Sequence, residues 1–187
     1  NTPPATISFT DIVQLMGGGT PKTDEDSFWN GNILFFTPKD ISRSPFCIST
    51  EKHLTNEGLN NCSSRLYPPY TTFVTCRGTV GTLAGVPIAM NQSCYALKGK
   101  NDFPALFVFS FTRYVIATMK KKASGAVFSA LVTRDFEMEK VFEPNFEDAI
   151  LFEKRVEPLF AQILANTNEI QQLLDLQNAL LTQLSSR

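Results

Sequence analysis

VEPLFAQILANTNEIQQLLDLQNALLTQL, residues 156–184, is the stretch on which the fold turns. Val156, Ile163, Ile170 and Leu184 recur at seven-residue intervals, with the polar Gln177 completing the row. Leu159, Leu173 and Leu180, with the polar Asn166, fill the companion position. Two apolar positions per seven residues form a coiled-coil seam. No glycine interrupts the chain from Asn145 to Arg187, and Asn145, with Asp148 three residues on, reads as a helix cap. Roughly forty residues rising about 1.5 Å each make a rod about 60 Å long, more than a small domain needs to cover its core. Phe160, Leu174 and Leu181 widen the stripe, so the helix expects more than one neighbour. Pro158 lacks the N–H its turn would use, and a kink or restart is expected there.

Ahead of this helix the chain is rich in loops. The apolar run Ile7–Met16 is stopped by Gly17-Gly18-Gly19-Thr20-Pro21. An Asn30-Gly31 turn precedes a strand at Ile33–Thr37, and further strands are expected at Thr71–Thr75 and Val86–Met90. Phe103–Met119 fits both periodicities and is read as a helix, with Asp102 as its cap and Lys120-Lys121-Lys122 at its basic end. The expected fold class is α+β: a β-rich globular body with a few helices over 1–144, then a long coiled-coil-forming helix over 145–187.

With 43% hydrophobic residues and 16 Phe, the 187-residue chain can bury a substantial core. It carries no uncharged apolar run of membrane-spanning length. The opening Asn1-Thr2-Pro3-Pro4 has neither an initiator Met nor a basic-then-apolar leader, and is read as the start of a piece cut from something longer. The spacing of Cys47, Cys62, Cys76 and Cys94 matches neither a zinc clamp nor a dense disulfide framework, so free thiols in a reducing cytoplasm are expected. Net charge is −1, yet residues 39–134 hold 12 Lys/Arg against Asp40, Glu51, Glu57 and Asp102. That local excess implies one basic face on an otherwise acidic body.

The residues offer little for catalysis. His53 is the only histidine, and it stands in polar surroundings. Asp24-Glu25-Asp26 reads as a solvated turn; Gly99-Lys100 lacks the spacing of a phosphate loop. Tyr67-Pro68-Pro69-Tyr70 resembles an amino-methyltransferase motif but has Tyr67 where that chemistry needs a short polar side chain, so a rigid loop is expected. No catalytic residue, metal or cofactor is assigned. A nucleophilic role for Cys76 or Cys94 is the weakest reading.

Four stretches in order resemble the target recognition domain of type I restriction-modification specificity subunits. They are Gly18-Gly19-Thr20-Pro21; Phe28-Trp29-Asn30-Gly31 with Phe36-Thr37-Pro38-Lys39-Asp40-Ile41; Arg77-Gly78-Thr79-Val80-Gly81 with Asn91-Gln92; and Ala123-Ser124-Gly125 leading to Phe128. Val156–Phe160 and Leu180–Leu184 are similar to the family's spacer helix. The resemblance implies a non-catalytic, cytoplasmic, membrane-free reader of double-stranded DNA that directs methylation and restriction subunits. It further implies pairing through Val156, Leu159, Ile163, Ile170, Leu173, Leu180 and Leu184 with a second half-module or a second copy. Lys39, Arg43, Arg113, Lys120, Lys121 and Lys122 are the candidates for phosphates, which set register. Thr20, Lys22, Arg77 and Ser124, beside glycine loops, are candidates near bases or backbone. Arg43–Arg65, with Asn60, Asn61 and Arg65, is the less family-like loop expected to carry base specificity. The competing reading is a coiled-coil protein-interaction scaffold that does not bind DNA.

Overall fold

The computed structural model describes residues 6–77, 80–122 and 130–185. Its strands and helices follow in the order β1 (Thr6–Ser8), α1 (Phe9–Ile12), β2 (Val13–Gly17), β3 (Trp29–Phe36), β4 (Phe46–Cys47), β5 (Lys52–Leu54), α2 (Asn56–Asn60) and β6 (Thr72–Thr75). Then come β7 (Val80–Ala84), β8 (Ala89–Met90), β9 (Cys94–Gly99), α3 (Ala105–Lys122), α4 (Thr133–Met138), β10 (Lys140–Phe142) and α5 (Phe146–Ser185). A five-stranded sheet in the order β2-β9-β6-β7-β4 is the centre of the body. A three-stranded sheet, β5-β3-β8, faces one side of it, and β1 pairs with β10 apart from both.

The central sheet is covered on both faces, so its strands lack the apolar–polar alternation of a half-exposed sheet. In β6 every residue is buried: Phe73 points into the core shared with the smaller sheet, where it stacks on Phe36 at 5.0 Å, and Val74 points towards α3. β9 divides likewise, with Cys94 and Ala96 on the inter-sheet side and Leu97 on the helix side. The run Ile7–Met16 divides into β1, α1 and β2, and the expected strand over Val86–Met90 shrinks to the last two residues.

α3 covers the helix side of the sheet, burying seven of its 18 residues. Its aromatic alternation is resolved by the helix itself: Phe107 and Phe111, four apart, stack at 5.4 Å. The expected cap is not the real one. Asp102 has φ 62°, and the first amides of α3 are met from another element: the Leu106 and Phe107 N–H groups donate to the Glu153 carboxylate of α5 at 3.2 and 2.9 Å. A carboxylate there also complements the positive end of the helix dipole.

α5 begins as expected, with the Asp148 N–H donating to Asn145 Oδ1 at 3.0 Å. It then runs through Pro158 without the restart expected there. Pro158 and Lys154, whose carbonyl loses its helical partner to the proline, are both exposed, and water can satisfy that carbonyl. Val156, Phe160 and Leu164 pack on Phe46, Leu83, Leu106 and Phe109. The expected seam is therefore corrected at its first position: Val156 faces the chain's own body, whereas Leu159, Ile163, Ile170, Leu173, Leu180 and Leu184 are exposed. None of the described helices is long and apolar enough to cross a membrane.

Candidate nucleic-acid interface

The central sheet brings several loops to one of its ends. Gly17 pairs with Tyr95 and Thr75 with Cys94, so the segments after β2 and β6 and before β9 leave the sheet together. Hydrogen bonds tie neighbouring loops to them. The Gly19 N–H donates to Met90 O at 3.1 Å, the Met90 N–H to Ser64 Oγ at 3.0 Å, the Asn91 N–H to Phe36 O at 3.0 Å and the Cys76 N–H to Ser93 O at 2.8 Å. The loop after β2 fits only with glycine: a Cβ on Gly18 would stand 2.1 Å from Asn91 O, and one on Gly19 2.2 Å from Ser63 Oγ. Asn91 and Gln92 serve this junction, Asn91 Oδ1 accepting from the Ser93 N–H at 3.1 Å and Gln92 accepting from the Thr20 hydroxyl.

Some of the residues singled out above belong to these loops, whereas Arg43 lines the cavity between the body and α5 with Thr167, Ile170 and Gln171. Lys22, Lys39, Arg43, Asn60, Asn61, Arg65 and Arg77 are all exposed. The Lys22 carbonyl accepts the Trp29 indole N–H at 3.0 Å, and Lys39 lies 3.9 Å from Glu51 in an open ion pair. Arg65 stands against the Tyr67 hydroxyl, partly offsetting the burial that raises its pKa. Thr20 has its hydroxyl committed to Gln92, and Asn61 caps α2 through Nδ2 to Glu57 O at 2.9 Å, so both serve the scaffold as well as the surface. Lys52 was missed: its ammonium lies 5.4 Å from the Trp29 ring centroid, between the Lys22 and Lys39 segments. Its sequence signal was its place within the Arg43–Arg65 stretch, as a cation next to His53 in polar surroundings.

The remaining basic candidates lie on α3. Arg113 is exposed, its guanidinium 5.5 Å from the Phe109 ring centroid, and Lys120 and Lys121 are exposed near the helix end. Lys122 is paired with Glu139 at 2.5 Å, which reduces the charge it offers elsewhere. Further along the chain, the Leu131 N–H donates to Cys76 O beside Arg77. Ser124 lies outside the described residues, as does the Ala123–Phe128 stretch.

Nucleophilic chemistry finds no support at Cys94: burial pushes both Cys47 and Cys94 up to about 12, the opposite of an activated thiol. Tyr67-Pro68-Pro69-Tyr70 is a loop braced by its own bonds, with Thr71 Oγ1 donating to Pro68 O at 2.7 Å and the Tyr67 hydroxyl donating to Gly17 O. No group of His, Cys, Asp and Glu among the described residues is arranged to hold a metal ion.

Residues 5–175 match the family described as type I restriction modification DNA specificity domain. Over 186 residues the chain is 25% identical to the HindI specificity subunit of Haemophilus influenzae, covering 95% of this chain and 40% of that protein. Over 127 residues it is 27% identical to the MjaIX specificity subunit of Methanocaldococcus jannaschii, covering 65% and 29%. The chain thus spans less than half the length of these relatives. Among solved structures, the HsdS subunit from Thermoanaerobacter tengcongensis superimposes with a TM-score of 0.56 at 16% identity, covering 92% of this chain and 41% of that one. A subunit chain from a study of complex assembly in a type I restriction-modification system gives 0.59 at 16%, covering 98% and 44%. These likenesses extend to the fold.

Proposed function

Because the chain belongs to the type I restriction modification DNA specificity domain family, we propose that it reads a double-stranded DNA sequence without catalysing a reaction. Residues 1–144 form the reading body and 145–187 the spacer helix. What supports this reading is that Lys22, Lys39, Lys52, Arg43, Arg65 and Arg77 are all exposed, and that Arg65 and Arg77 belong to the loops tied together beside the glycine-tight turn at one end of the central sheet. Cations of this kind hold phosphates and set register, and Asn60, Asn61 and Thr20 are the side chains whose donors and acceptors suit base edges. Arg113, Lys120, Lys121, Lys122 and Ser124 are further candidates for contact with the same duplex. Methylation and restriction subunits in the cytoplasm supply the chemistry, and α5 joins this half to a second one, setting the gap between two half-sites.

Titration onto duplex DNA at two salt concentrations tests the reading. Affinity falls as salt rises, because each phosphate contact releases condensed counterions. Replacing Lys120, Lys121 and Lys122 together by Gln weakens binding at both salts and flattens the salt dependence. A scaffold predicts no change in either, and failure to bind duplex DNA even within the assembled enzyme defeats the proposal.

A further inference from the structure

Asn30 is the only asparagine in the chain followed by glycine, and the fold singles it out a second time. Trp29 and Ile33 both pair with Leu54 of β5, so residues 30–32 bulge out of the ladder. Asn30 lies in that bulge with φ 60°, in the left-handed region that asparagine tolerates better than most residues. Its side chain is exposed, and among the described residues none holds its carboxamide. Gly31 is selected for a different reason: a Cβ on it would stand 2.5 Å from Leu54 O and 2.6 Å from Thr55 Cα. The turn favours the asparagine and the packing demands the glycine. Together they make the dipeptide whose side-chain amide is most easily lost.

We propose that Asn30 is a site of spontaneous deamidation, which sets a carboxylate beside the Trp29–Lys52 pair. The Gly31 amide nitrogen, having given its proton to hydroxide, attacks Asn30 Cγ, and the new C–N bond closes a five-membered succinimide. The side-chain nitrogen takes a proton from water and leaves as ammonia. A second water then adds to one of the two ring carbonyls and breaks its bond to the ring nitrogen. Opening at Cγ leaves aspartate; opening at the main-chain carbonyl leaves isoaspartate. Nothing is oxidised or reduced, and the sum is an amide and water giving an acid and ammonia. Glycine permits the attack because no Cβ shields its nitrogen. The bulge permits it because the peptide between the two residues lies outside the paired register.

The position gives the new charge a consequence. The Trp29 indole N–H donates to Lys22 O at 3.0 Å, and the ring lies 5.4 Å from the Lys52 ammonium. A carboxylate one residue from Trp29 lowers the positive potential that these two lysines offer to phosphate. Isoaspartate also adds a main-chain carbon between Trp29 and Ile33, which Leu54 alone holds in register. This consequence rests on the reading above, in which these lysines face DNA; the chemistry at Asn30 does not.

Peptide mass mapping of the folded chain, held for days at mildly alkaline pH, tests the site. Asn30 converts to a mixture of aspartate and isoaspartate, faster as pH rises, while the other asparagines stay amides. Its rate is at most about tenfold below that in the urea-unfolded chain, a barrier raised by no more than about 1.4 kcal/mol. Asn30→Gly, which suits φ 60°, removes this conversion and melts as the parent does. An Asn30 that stays intact in the folded chain while the unfolded chain loses it overturns the inference, as does equal conversion at the other asparagines. Titration of the Asn30→Asp chain onto duplex DNA reads the consequence. Binding is at least about threefold weaker than the parent's at low salt, and the gap narrows as salt rises. Conversion at Asn30 with undiminished duplex binding by Asn30→Asp defeats the reading of Lys22 and Lys52 and leaves the modification site standing. A parent that binds duplex DNA yet keeps Asn30 intact defeats the modification site and leaves the reading.

Discussion

α3 and α5 are the two long helices of the protein, and they are opposites. α3 buries seven of 18 residues between sheet and helix, whereas α5 buries only Ala149 among its 40. α3 also depends on α5, since Glu153 satisfies its first amides. The difference separates a helix that completes a core from one that presents a face: the first is held by what surrounds it, the second by its own turns until a neighbour arrives.

The contrast can be broken at its strongest point with Phe109→Ala. This ring is buried against Phe160 at 5.8 Å, and its loss costs about 3–5 kcal/mol in denaturant unfolding. The body's interior is also vulnerable to alkali in a way the outer helix is not. Cys47 and Cys94 keep their protons in the folded protein to about pH 12, against an ordinary value of 9.0. The unfolded chain gives those protons up first, so stability is full below pH 9.0 and declines as pH rises between the two values. Each thiol removes up to about 1.4 kcal/mol per pH unit, and Cys47→Ala with Cys94→Ala flattens that slope in melts between pH 8 and 10. Glu153→Gln leaves α3's amides with a neutral acceptor and costs about 1 kcal/mol in the same assay. Leu180→Ala, at a dilution where chains are single, changes unfolding by less than about 0.5 kcal/mol. A loss there as large as that of Phe109→Ala would mean that the outer helix folds back onto its own body.

The same contrast explains what could be read in advance. The N-cap at Asn145 and the length of α5 were legible because both are local: one side chain, one unbroken period. β9, the strand between β2 and β6, was not, because Cys94-Tyr95-Ala96-Leu97 is covered on both faces and shows no alternation. Asp102 looked like the cap of α3, but its backbone turns left-handed and Glu153, 47 residues from Leu106, takes the role. At the candidate interface, residue types and glycine loops were visible, while the commitment of Thr20 to Gln92 and of Lys122 to Glu139 was not. Lys52 lay inside the Arg43–Arg65 stretch, but its contact with the Trp29 ring was not legible.

By itself the sequence determined the family and a long helix with a seam, since these depend on motif order and on periodicity along the chain. The tertiary structure alone decided which loops share an end of the sheet, which charges are already spent, and that Val156 faces inward while Ile163 and Ile170 face out. The physical reason is that a heptad marks which positions are apolar, whereas the direction each one faces depends on the body the helix leans against.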